Sequence, residues 1–82
     1  MITSQQIESW IQADLPCEYI RVVGDDGQHF EAVIVSSKFS GLMRVAQHQL
    51  VYRALGEKMH NDIHALSMQT MTPEEWQAKQ NG

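Results

Sequence analysis

The stretch that decides the fold is CEYIRVVGDDGQHFEAVIVSS, residues 17–37, in which two β-type runs flank a turn. Residues 19–23 and 30–35 are rich in β-branched and aromatic side chains, which favour extended strands. Between them, GDDG at 24–27 contains the Asp-Gly step that is common in tight hairpins. The stretch therefore predicts an antiparallel β-hairpin.

The segment before the hairpin has the periodicity of a helix. Ile7 and Ile11 recur at helical spacing, and Thr3 with Gln6 has the residue types and spacing of a capping box. Proline is tolerated poorly inside a helix. These features predict a first helix that ends before Pro16.

A longer helix is predicted after the hairpin, because the apolar residues between 50 and 59 form one arc at 3.6-residue periodicity. Gly56 lies inside this arc and weakens a helix by about 1 kcal/mol relative to alanine, so packing must compensate. Residues 63–70 read as a third strand. Thr72 as N-cap, with Pro73 after it and Glu75 completing a capping box, then marks the start of a terminal helix.

The predicted element order is helix, strand, strand, helix, strand, helix, an α/β chain of the α+β type. A helical crossover separates the second and third strands, so if they are neighbours they must be parallel. We therefore expect a three-stranded mixed sheet with helices packed on one face. The length of 82 residues suits a single domain, residues 1–82.

Composition narrows the function classes. A net charge of -4 argues against a protein that holds polyanions by bulk electrostatics. The single Cys17 cannot form an internal disulfide and is expected to act as a small buried apolar residue. Neither a leader peptide nor a membrane span is evident. We expect a cytoplasmic protein with no membrane association, monomeric in isolation, with a homodimer as the alternative.

Several spaced motifs in the second half of the chain occur together. FSGLMRVAQHQLVYRALGEKM, residues 39–59, contains Phe-x-Gly followed by a helix with a central His48. IHALSMQTMTPEEW, residues 63–76, opens with apolar-His-Ala and ends with Thr-Pro-x-x-Trp. This pattern resembles the BolA family over nearly the whole chain, and the short hairpin turn is most similar to the bacterial acid-stress-linked branch called IbaG or YrbA.

The resemblance implies a fold similar to a class II KH domain and a partnership with monothiol glutaredoxins. In such complexes a 2Fe-2S cluster is shared with the glutaredoxin and glutathione, so no cluster is expected in the isolated protein. The family ligand is the histidine that opens the last strand, here His64. A second ligand comes from the hairpin loop, where His29 is the candidate and the carboxylates of Asp25 and Asp26 are alternatives less suited to iron–sulfur chemistry.

Each of these histidines also has a structural interpretation. His64 then fills the end of a strand and hydrogen-bonds a nearby carbonyl, and His29 is an exposed strand residue. Imidazole is nevertheless a competent ligand of iron–sulfur clusters. With the surrounding motif, we predict that His64 and His29 are the metal ligands. For His48, a half-buried position with a hydrogen bond from helix to loop is expected.

The sequence is consistent with two function classes and argues against a third. The first is an adaptor that pairs with a monothiol glutaredoxin and co-ligates a 2Fe-2S cluster, acting in cluster trafficking, iron homeostasis and the acid-stress response. The alternative is a nucleic-acid-binding transcriptional regulator. Many members of the family that this chain resembles carry Arg-His-Arg where it has Gln47, His48 and Gln49, so we expect two fewer charges on that surface. GDDG is interpreted as a turn, since its aspartates repel phosphate. No catalytic arrangement is evident, so an enzyme is not expected.

Overall fold

The computed structural model describes residues 2–24, 26–61, 63 and 65–81, with the backbone alone at 60 and 61. The elements in chain order are α1 (Ser4–Asp14), β1 (Tyr19–Val23), β2 (His29–Val35), α2 (Arg44–Leu55), α3 (Lys58–Asn61), β3 (Ala65–Met71) and α4 (Pro73–Asn81). The predicted order is confirmed, with the short α3 as an addition. Within the described ranges, no helix is both long and apolar enough to cross a membrane.

The three strands form one mixed sheet in the order β1-β2-β3. β1 and β2 are antiparallel, with Tyr19 opposite Val35 at one end of the hairpin. β2 and β3 are parallel, and their register runs from His29 beside Ala65 to Val35 beside Met71. The predicted hairpin and the predicted parallel pairing are therefore both confirmed, as is the α+β class of the fold.

The hydrophobic core lies between one face of this sheet and helices α1 and α2. Alternate strand residues point to it because successive side chains of a strand lie on opposite faces. Phe39, in a 3-10 turn before α2, is fully buried in the same cluster. The other buried members are Ile7, Ile11, Leu15, Val22, Phe30, Ala32, Ile34, Val51, Leu55 and Ile63.

Capping boxes fix the starts of α1 and α4, as the sequence predicts. In α1, the Gln6 N–H donates to Thr3 Oγ1 at 3.1 Å, and the Thr3 N–H donates to Gln6 Oε1 at 2.8 Å. In α4, the Glu75 N–H donates to Thr72 Oγ1 at 3.1 Å, and the Thr72 N–H donates to Glu75 Oε1 at 2.8 Å. Each box satisfies two N–H groups that a helix start would otherwise leave without partners.

The second helix ends earlier than the sequence predicts. α2 stops at Leu55, and Gly56 follows it with a φ of 58°, a left-handed value that side chains with a Cβ rarely adopt. Its N–H still donates to Tyr52 O at 2.9 Å. A continuous helix through Met59 was therefore the wrong expectation: Met59 packs against the core from α3, so apolar periodicity continues across the break.

The terminal helix reaches the other side of the sheet. Trp76 of α4 stacks on Tyr19, with ring centroids 4.6 Å apart and an interplanar angle of 17°. Tyr19 lies on the same side of β1 as Arg21 and Val23, which are exposed, and opposite Val22, which is in the core. The expectation that the helices pack on one face of the sheet is thus met by α1 and α2. α4 instead packs against one corner of the opposite face.

Candidate functional site

The parallel register of β2 and β3 defines the candidate site. His29 opens β2, and its neighbour in the sheet is Ala65, the first residue of β3. The Ala65 N–H donates to Gln28 O at 2.9 Å, which fixes this end of the pairing. Ala65 follows His64 directly in the chain. His64 itself lies outside the described residues, so its position and its role as a ligand stay predictions.

Two glycines shape the turn that presents His29. Gly27 has a φ of 74°, in the left-handed region that favours glycine. At Gly24 a Cβ would lie 2.6 Å from both His29 O and Phe30 Cδ1, so no larger residue fits without displacing the start of β2. The prediction that GDDG is a hairpin turn is confirmed. Asp25 lies outside the described residues.

Asp26 organises the turn through both of its carboxylate oxygens. Oδ1 accepts hydrogen bonds from the N–H groups of His29 at 2.8 Å and Gln28 at 2.9 Å. Oδ2 lies 2.9 Å from Nδ1 of the His29 ring. The backbone hydrogen bonds from His29 and Gln28, together with the His29 ring, hold the pKa of Asp26 well below its usual range. Asp26 is therefore an ionised carboxylate at neutral pH.

Sequence reasoning considered Asp26 only as an alternative ligand and missed its contact with His29. The pattern that indicates the contact is an aspartate three residues before a histidine in a tight turn, where an aspartate side chain commonly accepts from the N–H two residues on. The His29 side chain is 63% exposed and that of Asp26 51%. The donor type and the exposure both fit a shared iron–sulfur cluster. In the described part of the chain, no group of three or more histidine, cysteine or acidic side chains lies close enough together to hold a metal ion.

Cys17 does not present a thiolate. It lies between α1 and β1, partly buried, and its Sγ donates to Leu15 O at 3.1 Å. Burial, together with the nearby Glu18 carboxylate, raises the pKa of Cys17 to about 11. The thiol is therefore protonated at neutral pH, in line with the expected apolar packing residue.

Alkylation of Cys17 by iodoacetamide at about pH 8 is expected to be slow. Each pKa unit changes the thiolate fraction about tenfold, so a rise from 9.0 to about 11 lowers the reactive fraction roughly 100-fold. The rate should climb as the pH approaches the raised pKa. Mass spectrometry of the folded chain, with the same chain in concentrated guanidinium chloride as the control, measures this. Equal rates in the two conditions would contradict the burial of the thiol.

His48 is half-buried, as expected, but it does not make the expected hydrogen bond. It lines a cleft of about 350 Å³ between α2, β3 and α4, together with Arg44, Met68 and Glu75. Among the residues that the structure describes, none is hydrogen-bonded to the His48 ring. The helix-to-loop connection is instead made one residue earlier, by Gln47.

Gln47 is an internal residue, with 5% of its surface exposed. Its Nε2 donates to Phe39 O at 3.3 Å and to Leu42 O at 3.1 Å, in the connector before α2. Its Oε1 accepts from Thr70 Oγ1 of β3 at 2.8 Å. The interpretation of Gln47 as a charge missing from the surface was therefore wrong. Of the two glutamines, only Gln49 is exposed.

The cleft beside β3 carries both positive and negative groups. The Arg44 guanidinium donates to Thr70 O and lies 3.9 Å from the Glu75 carboxylate. Lys79 of α4 also lines the cleft. Because Arg44 is engaged with a carbonyl and a carboxylate, this surface is a poor match to a row of phosphates, which requires clustered basic groups.

Comparison with known proteins identifies the family. The family described as BolA-like protein matches residues 11–75, and the chain belongs to it. The acid stress protein IbaG of Escherichia coli K12 is 38% identical over 74 residues, covering 89% of this chain and 87% of its own length. The DNA-binding transcriptional regulator BolA of Haemophilus influenzae is 33% identical, covering 96% and 85%. A BolA protein homologue from Coxiella burnetii has the same fold, with a TM-score of 0.79, 44% identity and coverage of 94% and 99%.

These matches agree with the motifs found in the sequence. The matched segment contains Phe39, Gly41, the apolar-His-Ala motif at 63–65 and most of the final Thr-Pro motif. The relatives are named as a stress protein and as a regulator, not as enzymes. The resemblance to the BolA family and to its acid-stress-linked branch is therefore confirmed.

Proposed function

We propose that this protein is an adaptor that pairs with a monothiol glutaredoxin and co-ligates a 2Fe-2S cluster, which the two proteins share with glutathione. His64 and His29 are the ligands from this chain. The observation that carries the proposal is the parallel register of β2 and β3, which sets His29 beside Ala65, the residue that follows His64. In this proposal the cluster is cargo, and the adaptor helps its delivery and iron homeostasis.

The chemistry of the two imidazoles suits this task. Replacing cluster thiolates by histidines removes negative charge and raises the reduction potential. An imidazole ligand must be neutral to donate its lone pair, so acid favours release. The name of the Escherichia coli relative, an acid stress protein, agrees with such a dependence. We therefore place the protein in the acid-stress response.

Mixing the protein with a cluster-loaded monothiol glutaredoxin and glutathione tests the proposal. The visible absorption and circular dichroism spectra of the cluster are expected to change, because imidazole replaces a ligand in its coordination sphere. His64→Ala should abolish the change, and His29→Ala should weaken or abolish it. Size-exclusion chromatography of the same mixtures reports whether the two proteins still associate.

His48→Ala is the matched control, since it removes an imidazole that lies in the cleft beside β3. This variant should reproduce the wild-type spectra. Spectra that change equally with the wild type and with His64→Ala would remove the basis of the proposal. Thermal unfolding of each variant shows whether a lost response arises from a lost fold.

Regulation of transcription by DNA binding is the second candidate, because the Haemophilus influenzae relative is named as a DNA-binding regulator. Against it stand the net charge of -4 and the engagement of Arg44 by Thr70 O and Glu75. For a DNA-binding protein, the logarithm of the affinity falls linearly with the logarithm of the salt concentration. Retention of duplex DNA with that dependence, together with unchanged cluster spectra, would favour this candidate.

A further inference from the structure

The donor and the acceptor in the contact between Asp26 and His29 can be assigned. An ionised carboxylate only accepts hydrogen bonds, so the 2.9 Å contact between Asp26 Oδ2 and His29 Nδ1 requires the proton on Nδ1. In a neutral imidazole the lone pair then belongs to Nε2. The same carboxylate, through Oδ1, accepts the His29 N–H and so ties the ring to the backbone that carries it.

We propose that Asp26 is a positioning residue that holds His29 in its Nδ1–H tautomer, which makes Nε2 the atom that binds the shared cluster. This inference rests on the proposed function, since it assigns the donor atom of a ligand named there. Metal-binding histidines generally donate their second ring N–H to a carboxylate, a carbonyl or water, which fixes the tautomer and the ring orientation. The Asp26–His29 pair has this arrangement.

Asp26 is not itself suited to be the ligand. Its two oxygens already accept from two backbone N–H groups and the imidazole ring, so binding a metal through Asp26 would break hydrogen bonds that hold the turn. Carboxylate oxygen is also a hard donor, whereas cluster iron is held by thiolate and imidazole. Asp26 is therefore not the ligand from this loop. His29 binds the cluster, and Asp26 orients His29.

Asp26→Asn separates the two contacts of the side chain. The amide keeps a carbonyl oxygen for the N–H groups of Gln28 and His29, so the turn is retained. Its NH₂ group, however, is a donor and stands where Oδ2 met Nδ1. A donor at that point favours an imidazole with its lone pair on Nδ1 and its proton on Nε2. The variant thus reverses the tautomer without removing the turn.

The tautomer can be read in the protein without any cluster. Long-range ¹H–¹⁵N correlation spectra of the imidazoles at about pH 8 distinguish protonated from unprotonated ring nitrogens. For His29 we expect the Nδ1–H form in the wild type and the Nε2–H form in Asp26→Asn. Asp14→Asn, at the exposed end of α1, removes the same charge and should leave His29 unchanged. A wild-type ring dominated by Nε2–H, or one unaffected by Asp26→Asn, overturns the inference.

The loaded complex gives the second readout. Loss of such a supporting hydrogen bond typically lowers metal affinity about 10–100-fold, and we expect cluster retention with glutaredoxin to fall by this factor in Asp26→Asn. A reversed tautomer with unchanged retention overturns the inference while leaving the adaptor proposal standing. A cluster spectrum that changes as much with His64→Ala as with the wild type overturns the adaptor proposal itself, whatever the His29 tautomer is.

Discussion

Phe39→Ala is expected to lower the free energy of unfolding by about 3–5 kcal/mol, as large-to-alanine changes of buried aromatic residues do. The Phe39 ring is fully buried and belongs to the core between the sheet and the helices. Small domains have a total stability of only about 5–15 kcal/mol, so this loss is a large share of it. Urea denaturation measures the change as a lower midpoint at constant slope.

Lys38→Ala is the control for this prediction, because the Lys38 side chain is exposed and precedes Phe39 in the same 3-10 turn. Surface changes of this kind usually stay within about 0.5 kcal/mol. A similar midpoint for the two variants would mean that Phe39 does not carry the packing that its burial indicates. A changed slope would instead indicate a loosened native state.

Gln47→Ala is expected to cost on the order of 3 kcal/mol, because each buried polar group left without a partner costs about 1–3 kcal/mol. The truncation takes the amide partner from Leu42 O and from the Thr70 hydroxyl, and leaves Phe39 O with only its bond from the Leu42 N–H. It also removes the link between the connector before α2 and strand β3. The same denaturation measurement applies, with Gln49→Ala on the exposed side of α2 as the control.

Gln47→Met distinguishes hydrogen bonding from packing at this site. Methionine fills a similar volume but offers no amide to the two carbonyl groups. If hydrogen bonding carries the effect, this variant is nearly as unstable as Gln47→Ala. If Gln47→Met is as stable as the wild type, the network contributes little and the cost of Gln47→Ala arises from the cavity.

Local sequence rules predicted those elements whose determinants are close together in the chain. Thr3 with Gln6, and Thr72 with Glu75, meet within one helical turn, so their residue types alone indicate two helix starts. The GDDG turn likewise lies within a single hairpin. The parallel pairing of β2 and β3 followed from a topological rule that needs only the order of elements.

Determinants from distant parts of the chain were not predictable in this way. Gln47 is polar, so the sequence alone predicts that it lies on the surface. Its burial depends on Thr70 and on two carbonyl groups of a separate connector, which only the fold brings together. Gly56 shows a related limit, because apolar periodicity records which side chains reach the core and not whether the backbone between them is continuous.

The candidate site was predicted in part. His29 and His64 came from the family resemblance, and the register now gives His29 a neighbour that is bonded to His64 in the chain. Asp26 was considered as a metal ligand and not as a hydrogen-bond partner of His29. Its residue type shows which atoms can bind a metal but not which groups its hydrogen bonds reach. Those groups emerged only from the positions of Oδ1 and Oδ2 relative to the turn.

The parallel pairing of β2 and β3 has a consequence for how the site is lost. Its two sides come from regions far apart in the sequence, and the ladder from His29 beside Ala65 to Val35 beside Met71 brings them together. β3 is also an edge strand, with β2 as its single neighbour in the sheet. Detachment of β3 would therefore dismantle the candidate site even while the β1–β2 hairpin stays paired, and a partner that contacts both strands at this end would stabilise their pairing.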